Sequence, residues 1–215
     1  MVRVKICGIT NWPDARAACD AGAHALGFNF YPASPRSISP AAAWEIRRWL
    51  PPFVEAVGVF VNWEPVAVAS LSVSLRLHAA QLHGDESPKV VAAVARRIPV
   101  IKAFRVRKGF SLTQIAPYDA PAFAILLDGA LTGQYGGTGK TTDWGLARKA
   151  ARKRLIILSG GLAPENVAAA ILAVRPYAVD VASGVESRPG RKDPGKLREF
   201  FREVERANRK LESEN

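Results

Sequence analysis

Short β-branched runs alternate with longer helical patterns along the whole chain. The runs Val2–Cys7, Ala25–Phe30, Ala56–Phe60, Leu77–Gln81, Val100–Phe104, Phe123–Asp128, Leu155–Leu158 and Ala178–Ala182 have the length and composition of strands. Between them, Asp14–Ala21, Pro40–Leu50, Pro65–Ser72, Pro88–Arg97, a short piece near Leu112–Ala116, Asp143–Arg152, Pro164–Val174 and Pro194–Asn208 read as helices. Several open on proline, whose missing N–H costs nothing in a first helical turn. Strand starts recur about every 20 to 30 residues, the size of one strand, loop and helix.

Eight strands and eight helices in strict alternation predict a parallel sheet with right-handed crossovers. Units of this length and number suit a single α/β domain closed as an eight-stranded (β/α)8 barrel, the TIM-barrel architecture. An open doubly wound sheet is the alternative, although six units would normally complete one. No linker or composition break divides the chain. Residues 1–208 are therefore expected to form one barrel domain, and 209–215 a charged tail that frays.

Composition narrows the classes. The 215 residues are 48% hydrophobic and 23% charged, which excludes disorder and low-complexity character for the bulk of the chain. Pro121–Leu127 is among the longest apolar runs and falls well short of the roughly 18 to 20 residues of a membrane helix. The alternating N-terminus lacks the continuous apolar stretch expected of a signal peptide. A cytoplasmic protein with no membrane partner is expected. Cys7 and Cys19 match no zinc or redox spacing, and the three histidines are scattered, so no metal site is expected. The formal charge of +11 favours anionic partners. The basic clusters Arg148–Arg154 and from Arg188 onward lack interleaved aromatic residues, which argues against nucleic acid. A small phosphorylated substrate suits the sign of the charge, and a monomer or a homodimer is equally compatible with it.

A barrel gives function an address, the carboxyl ends of the strands and the loops that follow them. In the first run, Arg3, Lys5 and Cys7 share the face expected inside the barrel, while Val2, Val4 and Ile6 face the helices. Buried charge on a strand needs partners, so Lys5 and the terminal thiol of Cys7 stand out; Lys5 is expected to favour the thiolate. Asp128 ends the apolar run Phe123–Leu127, where partial desolvation would suit it to act as an acid; a turn cap before Gly129 is the other reading. Asp180 lies inside the last strand and either pairs with an interior cation or binds a substrate hydroxyl. Arg36 offers a planar fork for a carboxylate. Ser159-Gly160-Gly161 and Ser183-Gly184 follow the seventh and eighth strands, the usual phosphate site of this architecture. The glycine-rich stretch Gly129–Asp143 has Gln134 where a nucleotide-binding P-loop needs glycine, and reads instead as a lid over a substrate.

Taken together these segments resemble the phosphoribosylanthranilate isomerase family. The resemblance is carried by Lys5-Ile6-Cys7-Gly8-Ile9-Thr10, Gly27-Phe28 through Ser34-Pro35-Arg36, Gln81-Leu82-His83-Gly84, Leu126-Leu127-Asp128, Tyr135 to Lys140, Leu158 to Leu162 and Asp180 to Glu186. It implies an Amadori rearrangement of N-(5-phosphoribosyl)anthranilate to 1-(2-carboxyphenylamino)-1-deoxyribulose 5-phosphate in tryptophan biosynthesis, with no cofactor and no metal. It further implies Asp128 as general acid, Cys7 as general base, Arg36 on the anthranilate carboxylate, and the turns at Gly160, Gly161, Ser183 and Gly184 on the phosphate. His83 matches a family position and is carried as a site-lining residue with no assigned role, and Asp180 as a substrate-binding residue. Other readings are a different phosphosugar barrel, such as indole-glycerol-phosphate synthase or a ribulose-phosphate epimerase, or a non-catalytic anion binder. The first two want a lysine acid or a metal-ligand set that the strand ends do not offer.

Overall fold

The structure is a computed structural model that describes residues 1–107, 109–129 and 143–214. Eight parallel strands close on themselves in sequence order: β1 (Arg3–Cys7), β2 (Ala25–Asn29), β3 (Glu55–Phe60), β4 (Ala79–Leu82), β5 (Val100–Val106), β6 (Ala124–Gly129), β7 (Ile156–Leu158) and β8 (Ala178–Val181), with β8 pairing back to β1. The closed barrel is the predicted architecture; the open sheet is excluded.

The helices outside it are α1 (Trp12–Asp20), α2 (Pro40–Arg47), α3 (Pro65–Ser74), α4 (Pro88–Ala95), α5 (Trp144–Ala151), α6 (Pro164–Val174) and α7 (Pro194–Ser213). Their starts are written in the sequence. Side chains of Asn11, Ser39, Ser87 and Asp143 accept from backbone N–H groups in the first turns of α1, α2, α4 and α5. Prolines stand in the first turn of α1, α2, α3, α4, α6 and α7.

Three departures from the sequence reading matter. The short piece after β5 is two 3-10 turns, Leu112–Gln114 and Ala116–Tyr118, rather than a helix; Pro117 leaves too little uninterrupted chain for one. The last helix does not stop at Asn208 but continues to Ser213, its end tied by an ion pair between Arg175 and Glu214. A small antiparallel hairpin, β9 (Glu186–Arg188) and β10 (Arg191–Lys192), follows β8, outside the alternation that the sequence predicts. The expected lid falls largely on residues 130–142, outside the described residues.

The two-residue period of the strands sorts the core into two layers. Outward residues such as Ile6, Leu26, Phe28, Phe60, Leu82, Leu127 and Leu158 are buried against the helices. Each contributes about 1.5–3 kcal/mol on burial. Inward residues form a second, smaller apolar layer: Val57, Ala79, Ile101, Ala103, Ala124, Leu126, Ile157 and Ala178. Above that layer the inward positions turn polar, with Lys5, Gln81, Asp128 and Asp180 all buried. No helix among the described residues is long and apolar enough to cross a membrane.

Candidate active site

The polar inward positions surround a cavity of about 400 Å³ at the carboxyl ends of the strands, whose walls include Cys7, Arg36, His83, Asp128 and Asp180. All five candidate residues for catalysis and substrate binding are thus brought to one space. Parity explains why. Cys7, Gln81 and Asp128 lie on inward positions of β1, β4 and β6, and His83 continues the parity of β4 one residue past its end.

Lys5 and Asp180 form a buried ion pair, Nζ to Oδ1 2.7 Å, and Ser159 donates its hydroxyl to Asp180 Oδ2 at 3.2 Å. The pairing of Asp180 with an interior lysine is thus present, and the same side chain also lines the cavity. Burial works against the Lys5 charge, but Asp180 and the neighbouring Cys7 outweigh it and hold the ammonium above its ordinary range. The thiol of Cys7 moves upward: burial is the main cause, Lys5 opposes it, Asp180 adds to it, and Lys192 opposes it. Lys5 therefore acts in the expected direction without winning. Gly27, the register partner of Cys7 on β2, makes this crowding feasible. A Cβ there would lie 2.8 Å from Cys7 Sγ and 3.1 Å from Lys5 Nζ.

Arg36 is held by a carboxylate of the protein itself. Its Nε donates to Glu186 Oε1 at 2.9 Å and its Nη2 to Oε2 at 2.8 Å. That bidentate pair fixes the guanidinium plane. Glu186 is pinned in turn by Lys192, whose buried ammonium lies 2.9 Å from Oε1 and also donates to the backbone carbonyls of Cys7 at 2.6 Å and Ala182 at 3.1 Å. One lysine thus ties the ends of β1 and β8 to the anchor of Arg36. Burial raises the Glu186 carboxyl, but hydrogen bonding from Arg36 and the charge of Lys192 prevail and hold it below the usual carboxylate range.

Asp128 is buried, and its Oδ2 lies 3.3 Å from His83 Nε2. Gln81 Nε2 in turn lies 2.8 Å from His83 Nδ1. The two glycine turns sit one step beyond the cavity wall, which Ser159 and Ala182 reach but Gly160, Gly161, Ser183 and Gly184 do not. They pack on each other closely: a Cβ on Gly184 would stand 1.9 Å from the carbonyl oxygen of Leu162. No cluster of three or more His, Cys, Asp or Glu suited to a metal occurs among the described residues.

Glu186 and Lys192 escaped the sequence reading as functional residues. The usable signal was Pro189-Gly190, a turn dipeptide between two polar runs, which marks the hairpin that delivers Lys192.

The family model described as N-(5'phosphoribosyl)anthranilate (PRA) isomerase matches residues 4–203. A relative from Trichlorobacter lovleyi named N-(5'-phosphoribosyl)anthranilate isomerase is 53% identical over 208 residues, 96% of this chain and 100% of that protein. Among solved structures, phosphoribosyl anthranilate isomerase from Thermotoga maritima superposes with a TM-score of 0.89 at 49% identity, covering 95% of this chain and 99% of that one. A phosphoribosyl anthranilate isomerase in complex with reduced 1-(o-carboxyphenylamino)-1-deoxyribulose 5-phosphate gives 0.85 at 46% identity, with 95% and 99% covered.

Proposed function

Because the chain belongs to the N-(5'-phosphoribosyl)anthranilate isomerase family, we propose that it converts N-(5-phosphoribosyl)anthranilate to 1-(2-carboxyphenylamino)-1-deoxyribulose 5-phosphate, a step of tryptophan biosynthesis, with Asp128 as acid and Cys7 as base. The observation that carries the reading is the meeting of a buried carboxyl, a thiol and a fixed guanidinium on the walls of one cavity.

Asp128 gives its proton to the ring oxygen as the bond from that oxygen to C1' breaks, and the nitrogen lone pair forms the C1'–N double bond of a protonated Schiff base. The Cys7 thiolate then takes the proton from C2', and the electron pair moves through C1' to neutralise the nitrogen. The resulting enolamine gains a proton at C1' and loses the one on its 2'-oxygen, so the overall change is an isomerisation. Acid and base contribute roughly 10² to 10⁴ in rate each. Orientation contributes the rest: Arg36 takes the anthranilate carboxylate on its Nη1 side, and the turns at Gly160–Gly161 and Ser183–Gly184 take the phosphate through backbone N–H groups.

The substrate is small, phosphorylated and anionic, as the charge of +11 suits. The basic helix faces are read as solvated, the setting as cytoplasmic, and the assembly as a monomer or homodimer. A fluorescence assay following consumption of phosphoribosylanthranilate by the purified protein tests the function. Turnover abolished by neither Cys7→Ser nor Asp128→Asn would overturn the assignment of roles, and absence of turnover in the unaltered protein would overturn the function.

A further inference from the structure

We infer that Gln81 is a positioning residue that fixes the tautomer of His83, so that a ring N–H faces Asp128. The inference deepens the reading above and rests on Asp128 being the acid.

Gln81 lies on an inward position of β4 and is 1% exposed, with register partners Val59 on β3 and Ile101 on β5. Its amide nitrogen lies 2.8 Å from His83 Nδ1. With the amide placed this way its NH₂ donates and Nδ1 accepts. A neutral imidazole carries one N–H, and here it is left on Nε2. Nε2 stands 3.3 Å from Asp128 Oδ2 but off the line of a hydrogen bond, and it is buried with no other partner among the described residues. A buried donor of that kind is costly to leave unmade.

The reaction supplies the missing partner. As Asp128 surrenders its proton to the sugar ring, negative charge grows on its carboxylate. A preset N–H on the neighbouring imidazole can turn onto that charge with no change of tautomer. In the other tautomer a nitrogen lone pair would face the same carboxylate and oppose the step. In this placement the amide oxygen of Gln81 has no partner among the described residues. Reversing the amide would place oxygen on Nδ1–H and invert the arrangement.

The chain has three histidines, and the other two act as internal standards. His24 Nδ1 accepts from the Val4 amide at 3.2 Å and His78 Nδ1 from the Ala56 amide at 2.9 Å, so both carry their proton on Nε2 when neutral. Nitrogen-15 NMR of histidine-labelled protein, with the His83 signal identified by its loss in His83→Asn, should show His83 in the same tautomer. In Gln81→Met, which keeps the volume, the tautomers should mix and kcat should fall about ten-fold or more with little change in KM, the scale of a lost supporting contact. Gln81→Met should cost no further rate in the His83→Asn background. An Nδ1–H tautomer in the unaltered protein, an unchanged tautomer in Gln81→Met, or the same rate loss in both backgrounds would each overturn the inference. If Gln81→Met does not fold, the tautomer of the unaltered protein decides alone. Failure of the acid assignment appears separately, as near-normal turnover in Asp128→Asn.

Discussion

Lys5 and Asp180 stand directly opposite each other as register partners on β1 and β8, and their side chains close a 2.7 Å ion pair inside the barrel. Two charges buried at neighbouring inward positions compensate each other only while both are present. Removing one leaves the other uncompensated, at a cost of roughly 3–5 kcal/mol. The pair also borders the thiol, on which its two members act with opposite sign.

That opposition gives a paired prediction. Lys5→Met should raise the Cys7 pKa further, and Asp180→Asn should lower it. The pH dependence of Cys7 alkylation, followed in a Cys19→Ser background, measures both. Shifts of the same sign in the two variants would show that the pair does not set the thiol's field.

Loss of the proposed acid or base should act on the chemical step. Cys7→Ser and Asp128→Asn are each expected to lower kcat by roughly 10² to 10⁴, with KM changed by only a few-fold, because neither group anchors the ends of the substrate. Steady-state kinetics checks this. A rise in KM at constant kcat would mean that the residue binds rather than reacts.

A base must be ionised to work, and burial holds Cys7 mainly as the neutral thiol at pH 7. Activity should therefore climb with pH from about 6 to about 9 as thiolate accumulates, since an ordinary cysteine titrates near 8.5 and this one lies higher. A kcat/KM profile flat across that range would exclude a raised thiol as the base.

Much of this site was legible in the sequence because strands have a two-residue period. Once β1 is a strand that ends at Cys7, the inward placement of Lys5 follows, and Asp128 at the end of an apolar run has nowhere to point but the barrel mouth. Pairing is another matter. Asp180 suits a lysine or a substrate hydroxyl alike, and only the closure of β8 onto β1 reveals that Lys5 is its partner. The Arg36–Glu186–Lys192 chain joins residues 36, 186 and 192. No local pattern relates Arg36 to the other two, which the Pro189-Gly190 turn brings together across the hairpin from Glu186 to Lys192.

Arg36 and Glu186 should separate binding from stability. Arg36→Ala is expected to raise KM chiefly, because its proposed contact with the substrate carboxylate would be made in ground and transition states alike. Glu186 contributes through linkage. Its carboxyl is held below the ordinary range in the folded chain, so its contribution is complete above the unfolded pKa and fades as pH falls through the folded one. Glu186→Gln should therefore flatten the acid limb of a stability–pH curve. An acid limb as steep as that of the unaltered protein would place the sensitive carboxylate elsewhere.

The phosphate turns can be tested without touching any acid or base. Gly184 packs so tightly that an added methyl would lie 1.9 Å from the Leu162 carbonyl oxygen and 3.0 Å from Ala163 Cα. Those atoms belong to the turn after β7, so Gly184→Ala must push the two turns apart. If backbone N–H groups from both grip one phosphate, separating them weakens binding in ground and transition states together. KM should then rise roughly ten-fold, about 1.4 kcal/mol of lost binding, while kcat holds. Inhibition by inorganic phosphate should weaken in parallel, which distinguishes a damaged phosphate site from a general loss of order. A variant with lowered melting temperature but unchanged phosphate inhibition would show that the two turns pack the barrel without holding the substrate.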